Sequence, residues 1–135
     1  MRIKRSAYEA LLAQARAELP DESCGYLFGS ADDPDLATEH FPMTNADHSA
    51  EHFSFVPAEQ FAALRASRAA GLKIIANWHS HPASPSRPSQ EDIRLANDPN
   101  ILYCILSLQA EEPVLNAFRI AGGSVEKFTV EVVDD

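Results

Sequence analysis

The apolar run Leu72-Lys73-Ile74-Ile75-Ala76-Asn77-Trp78 leads without a break into His79-Ser80-His81-Pro82, and this junction restricts the fold more than any other stretch. A run that is strongly apolar, β-branched in part and strand-sized suits a central strand. The sequence therefore predicts such a strand over Leu72–Trp78, continuing into His79. Trp78 alternates with His79 and belongs to the opposite face, as core packing. Pro82–Pro88 has prolines at 82, 85 and 88 and no helical period, so it reads as a loop.

Around this strand the remaining pattern mixes helices and strands. Tyr8, Leu11, Leu12, Ala15 and Leu19 follow a helical period, predicting a helix over Ser6–Glu18 that Pro20 closes. Ser6 with Glu9 three residues on has the form of a capping box. Ser23–Gly29 reads as a strand, Ala31–Asp35 as a polar loop, and Thr38–Thr44 as a strand whose Pro42 suggests an edge or a bulge. Phe53–Val56 alternates as a strand should. Pro57 opens a second helix to about Ala70, with Phe61 and Leu64 on its inner face and Gly71 as its C′ residue. Ser89–Asn97 is a short helix stopped by Asp98-Pro99. Ile101–Leu108, Val114–Ile120 and Ser124–Val132 read as a closing antiparallel meander. The fold class is α/β (α+β), a single mixed sheet with helices on its faces.

Composition narrows the function. A chain of 135 residues fits one domain, 1–135, with a core that needs no disulfide. The formal net charge of −9, from 20 acidic and 11 basic residues, repels phosphate backbones. Nucleic acid is thus an unsuitable partner, and basic protein segments suit better. The acids at Asp32, Asp33 and Asp35, and at Asp134 and Asp135, read as solvated loop and tail. No apolar run reaches bilayer length, and the basic N-terminus lacks the apolar core of a signal peptide, so no membrane association and a cytoplasmic location are expected. Cys24 and Cys104 lie in strand-like runs and read as buried thiols, although the two could pair.

The chemistry concentrates in His79-x-His81-Pro82-x6-Ser89-x-x-Asp92. On one strand face, the Cα atoms of His79 and His81 lie about 6.5–7 Å apart, close enough for both imidazoles to reach one ion. Two histidines and a carboxylate leave a fourth position on zinc open for water, the mark of a catalytic site. Singly, each residue has an ordinary reading: a surface histidine, or Ser89 and Asp92 as a helix cap. Together, the pattern arises by chance on the order of once in 10⁷ positions at ordinary residue usage. His48 and His52 are four apart but lack a third ligand or fixed geometry, and with His40 they read as strand or loop residues. No H-E-x-x-H helix and no paired C-x-x-C set is present.

This pattern, with an acidic residue far upstream, resembles the signature of the JAMM (MPN-type) metalloproteases. Pro20-Asp21-Glu22-Ser23-Cys24-Gly25-Tyr26-Leu27-Phe28-Gly29 resembles that family's first motif, and Met43-Thr44-Asn45-Ala46 and Phe53-Ser54-Phe55 extend the resemblance. It implies an MPN fold related to the cytidine-deaminase-like architecture. It also implies one Zn²⁺ per chain held by His79, His81 and Asp92, with Glu22 as general base and Ser89 on the oxyanion. The implied reaction is hydrolysis of a peptide or isopeptide bond after the Gly-Gly terminus of a ubiquitin-like or sulfur-carrier protein, as in the compact prokaryotic members. The Pro42-containing strand, or the Ala46–Glu51 loop beside it, is the edge expected to receive such a tail. Two other readings stay open at this point: a non-catalytic MPN-type binding domain, and a metallo-amidohydrolase of small peptide conjugates.

Overall fold

The computed structural model describes residues 1–135. In chain order the elements are β1 (Arg2–Lys4), α1 (Arg5–Ala17), β2 (Cys24–Gly29), β3 (Leu36–Ala37), β4 (Glu39–Met43) and α2 (Pro57–Ala69). There follow β5 (Lys73–His81), α3 (Gln90–Leu95), β6 (Leu102–Ser107), β7 (Val114–Ala121), β8 (Ser124–Thr129) and β9 (Glu131–Val133). Six strands make a mixed sheet in the order β4-β2-β5-β6-β7-β8. The apolar run is central as expected: β5 is antiparallel to β2 and parallel to β6, and β6, β7 and β8 form the meander. Pro42 lies on β4, an edge of this sheet, where a missing N–H breaks no ladder.

One face of the sheet carries α1. Ala7, Leu11 and Ala15 recur every fourth residue and pack with Leu27, Trp78, Cys104 and Leu106. Leu11, Leu27 and Leu106 are fully buried, each contributing about 1.5–3 kcal/mol. Trp78 is equally buried here, on the core side that the alternation requires. The other face carries α2 over Cys24, Tyr26, Phe28 and Met43. The two cysteines are free, buried, and belong to different clusters on the two sides of the sheet.

Several expectations are corrected. The capping box at Ser6 is absent: α1 begins at Arg5 with Lys4 as N-cap and no side-chain cap, because β1 feeds straight into the helix. Ser6 instead gives its N–H and Oγ–H to the Asp135 carboxylate, and Arg5 meets Asp134 at 3.4 Å, so the acidic tail is tied to the helix start. Likewise Asp33 and Asp35 hold Arg2 at 2.7 and 3.5 Å. Phe61 and Leu64 are 63% and 38% exposed, while Ala63 and Ser67 are buried; α2 seats on its small residues, which allow close approach. Phe53–Val56 is not a strand and makes only an isolated bridge, Asn45 to Phe55. The helix expected over Ser89–Asn97 is shorter, Gln90–Leu95. Ser124–Val132 divides at Val130: β8 stays in the main sheet, while β9 joins β1 and β3 in a small parallel sheet of order β3-β1-β9.

Candidate metal centre

β5 ends in the candidate ligand pair. His79 and His81, two residues apart on one strand, project to the same face, and both are buried. The loop after Pro82 returns the chain so that α3 places Asp92 opposite them. His79 Nε2 lies 3.1 Å from His81 Nε2, and Asp92 Oδ2 lies 3.2 Å from each. The three atoms form a near-equilateral triangle. Ligands bound at 2.0–2.1 Å in a tetrahedron stand about 3.3 Å apart, so this triangle fits three corners of a zinc-sized site and leaves the fourth open.

The surroundings set the state of these ligands. Burial disfavours charge on His79 and keeps it neutral. Burial also opposes charge on His81, but its contacts with Asp92 and the Pro85 carbonyl outweigh that and raise its pKa. Asp92 is pushed up by burial, yet His79, His81 and the Ser89 N–H together hold it well below the usual carboxylate range. His81 Nδ1 donates to Pro85 O at 2.8 Å, which turns the Nε2 lone pair toward the centre. His79 Nδ1 has no partner; the stacked Phe53 ring, 4.5 Å between centroids, covers that imidazole. The segment read as a strand therefore places Phe53 as a cover over His79.

The proline loop is pinned from the sheet. Ser107 Oγ donates to Ser84 O at 2.6 Å, Ser86 Oγ to Ile105 O at 2.6 Å, and Asn116 Nδ2 to Ser86 O at 3.3 Å. Ser89 caps α3 in a true capping box: its Oγ accepts from Asp92 N at 3.0 Å, and its N–H donates to Asp92 Oδ2 at 2.9 Å. The Ser89 hydroxyl proton is left for another acceptor.

Glu22 lies just before β2, which is registered so that Cys24 pairs with His79. It is 4% exposed and its Oε1 has no partner. Desolvation raises its pKa to about 7, moderated by the neighbouring His81. Two residues missed by sequence reasoning hold it there. Ser80, between the ligands, accepts from Ser23 N through Oγ at 2.8 Å and donates its N–H to Ser23 O at 2.9 Å. Asn45 Nδ2 donates to Glu22 O and His52 O, both at 3.0 Å, while Asn45 Oδ1 accepts from Asp47 N at 3.0 Å. Asn45 lay within the Met43–Ala46 stretch of the resemblance, but nothing in the sequence gave it this bracing role. His40, His48 and His52 stay outside the ligand triangle: His40 packs on Trp78 and His52 pairs with Asp47.

A cleft of about 480 Å³ opens from His79 and Asp92 along the sheet, floored by Tyr26, Asn77 and Ile105. Glu22 also lines a separate polar depression of about 250 Å³ with Thr44, Asn45 and His48.

Comparisons with known proteins agree with this geometry. The family described as prokaryotic homologs of the JAB domain matches residues 4–121. A CysO-cysteine peptidase of Mycobacterium tuberculosis is 34% identical over 133 residues, covering 98% of this chain and 90% of the relative. A protein from Desulfitobacterium hafniense, solved in solution, is 40% identical with a TM-score of 0.90, over 100% of this chain and 94% of that one. A JAB1/MPN domain protein from Archaeoglobus fulgidus shares the fold, with a TM-score of 0.66 and 24% identity over 99% and 100% of the two chains. A mixed sheet flanked by helices, a ligand triangle at the end of its central strand and these matches lead to one assignment: the chain belongs to the compact prokaryotic JAB (JAMM/MPN) family and is a peptidase.

Proposed function

We propose that the protein is a zinc-dependent peptidase that cleaves the peptide or isopeptide bond after the Gly-Gly terminus of a ubiquitin-like or sulfur-carrier protein. One observation carries the reading: the His79–His81–Asp92 triangle with a buried, unpartnered Glu22 carboxylate beside it. The relatives named for CysO-cysteine support a carrier conjugate as substrate.

His79, His81 and Asp92 would hold the ion. Zinc in this site supplies Lewis-acid polarisation and acidifies a water. The chain's residues do the rest. Glu22, with its pKa near 7, takes the proton of the attacking water and returns it to the leaving amine. Ser89 Oγ, already accepting from Asp92 N, donates its proton toward the carbonyl oxygen as negative charge develops there. Phe53 and the proline loop hold the two imidazoles in place and limit water around them. A side-chain-free diglycine tail suits addition along the edge strand β4, which ends beside Asn45 and Glu22.

The test is elemental analysis of purified wild type and the His81→Ala and Glu22→Ala variants, followed by assays on Gly-Gly-terminated carrier fusions and on a free dipeptide. About one zinc in wild type and Glu22→Ala, none in His81→Ala, and turnover of fusions only by wild type are expected. Failure of wild type to bind zinc after reconstitution sinks the reading. Equal turnover of the dipeptide would move the substrate to small peptide conjugates.

A further inference from the structure

The two candidate histidine ligands are steadied in different ways. His81 Nδ1 donates to the Pro85 carbonyl, and that bond fixes its ring. His79 Nδ1 has no partner, so no such bond sets its ring. What lies against it is Phe53, stacked 25° from parallel at 4.5 Å between centroids. The plane of the His79 imidazole therefore depends on where Phe53 sits. Phe53 belongs to no strand, and the only pairing near it is the isolated bridge of Asn45 with Phe55. Phe55 meets the Phe53 ring edge-on at 5.4 Å, a contact between side chains that leaves the backbone of residue 53 unfixed.

One carboxylate holds both neighbours of Phe53. Asp47 Oδ2 accepts from His52 Nδ1 at 3.0 Å, and Asp47 Oδ1 accepts from Ser54 Oγ at 2.8 Å. The residue before Phe53 and the residue after it are thus bonded to the two oxygens of a single side chain. Asp47 is placed in turn: its N–H donates to Asn45 Oδ1 at 3.0 Å, and Asn45 Nδ2 reaches His52 O at 3.0 Å. The loop closes on itself around the ring that covers His79.

We propose that Asp47 is a positioning residue for the metal centre: by holding His52 and Ser54 it sets Phe53 against His79 and fixes the plane of that imidazole. The inference rests on reading His79, His81 and Asp92 as metal ligands, and it adds what orients the ligand that lacks a hydrogen-bond partner. Loss of an orienting partner weakens metal binding about 10–100-fold. The Asp47 side chain is 33% exposed and its bonds compete with water, which places the effect at the lower end.

The experiment compares the full wild-type chain with Asp47→Ala, which removes both bonds, and Asp47→Asn, whose amide can still bond both neighbours. Phe53→Leu keeps an apolar side chain without the stacked ring. Proton NMR of metal-free protein reads the stack, because the face of Phe53 shields the His79 ring protons. Chelator competition then gives each zinc Kd. Asp47→Ala is expected to move the His79 ring resonances in the direction that Phe53→Leu moves them, and to weaken zinc binding about tenfold. Asp47→Asn should stay near wild type in both readouts. In the double variant Asp47→Ala/Phe53→Leu, zinc should bind no more weakly than in Phe53→Leu alone, because Asp47 acts through that ring. A merely structural Asp47 would lower the melting temperature and leave the His79 resonances and the zinc Kd unmoved. That result, a failure of Asp47→Asn to restore them, or additive losses in the double variant overturns the proposal. Should Asp47→Ala not fold, His52→Ala and Ser54→Ala each remove one bond, and unchanged resonances and Kd in both overturn it equally. Wild type that binds no zinc overturns the metal-centre reading and this proposal together, whereas wild type that binds zinc no better than Asp47→Ala overturns the role of Asp47 alone.

Discussion

Glu22 combines two demands that oppose each other. The role proposed for it needs a base near neutrality, and burial suits Glu22 to that role by raising the pKa from 4.5 to about 7. The folded state then binds a proton more readily than the unfolded chain between those values. Stability of the metal-free protein is therefore greatest below about pH 4.5 with respect to this group, falls as pH rises to about 7, and stays reduced above it. Glu22→Gln in chelator-treated protein should melt higher than wild type at pH 8, with the difference closing toward pH 4.5. Thermal melts of the two proteins across that range check it, and an equal gap at every pH refutes it. With zinc restored, the same variant should keep its metal while kcat falls by about 10²–10⁴. Ser89→Ala should lower kcat by up to about 10²–10³ through the lost oxyanion donor. It should also cost α3 its cap, about 1 kcal/mol, seen as a lower melting temperature.

At the scale of elements, the site is held from several sides. The 44–56 segment has almost no ladder of its own, and Asn45 substitutes for one by bonding backbone groups at Glu22, Asp47 and His52. Asn45→Ala should destabilise by about 1–3 kcal/mol, since it leaves buried groups unsatisfied. Denaturant titration measures that loss, and kcat should fall with it as Glu22 loosens. On α2 the contrast is direct. Phe61→Ser should change stability by no more than about 0.5 kcal/mol, because Phe61 is 63% exposed. Had the ring faced the core, the cost would be several times larger. Gly25 shows how closely the sheet is packed: a Cβ there would meet Phe41 O and Trp78 Nε1, each at 2.5 Å. Gly25→Ala should therefore destabilise, by about 1–3 kcal/mol, through a forced shift of β4 or of Trp78.

For the whole molecule, the proposed metal site would couple ion binding to folding. The ligands come from β5 and from α3 across the proline loop, so an ion bound only by the folded state adds RT ln(1 + [L]/Kd) to stability. Chelation should lower the melting temperature of wild type and leave His81→Ala unchanged. Scanning calorimetry with and without chelator separates the two.

The sequence alone determined the parts governed by local pattern. The central strand, the restriction of Pro42 to an edge or a bulge, and the core side of Trp78 all follow from apolar runs, proline's missing donor and strand alternation. The spacing of His79, His81, Ser89 and Asp92 likewise pointed to one ion before any fold was known, because strand period and a short loop bring those side chains together. Tertiary structure decided the rest. Phe61 and Leu64 have the composition of an inner face, but sheet and helix met on Ala63 and Ser67, and no local rule fixes which face docks. Phe53–Val56 has a strand's alternation, yet with no partner strand in reach it became the cover of His79. The Ser80 and Asn45 clamps join residues 23 to 80 and 22 to 45; such pairings form only once the sheet is registered, so sequence spacing does not show them.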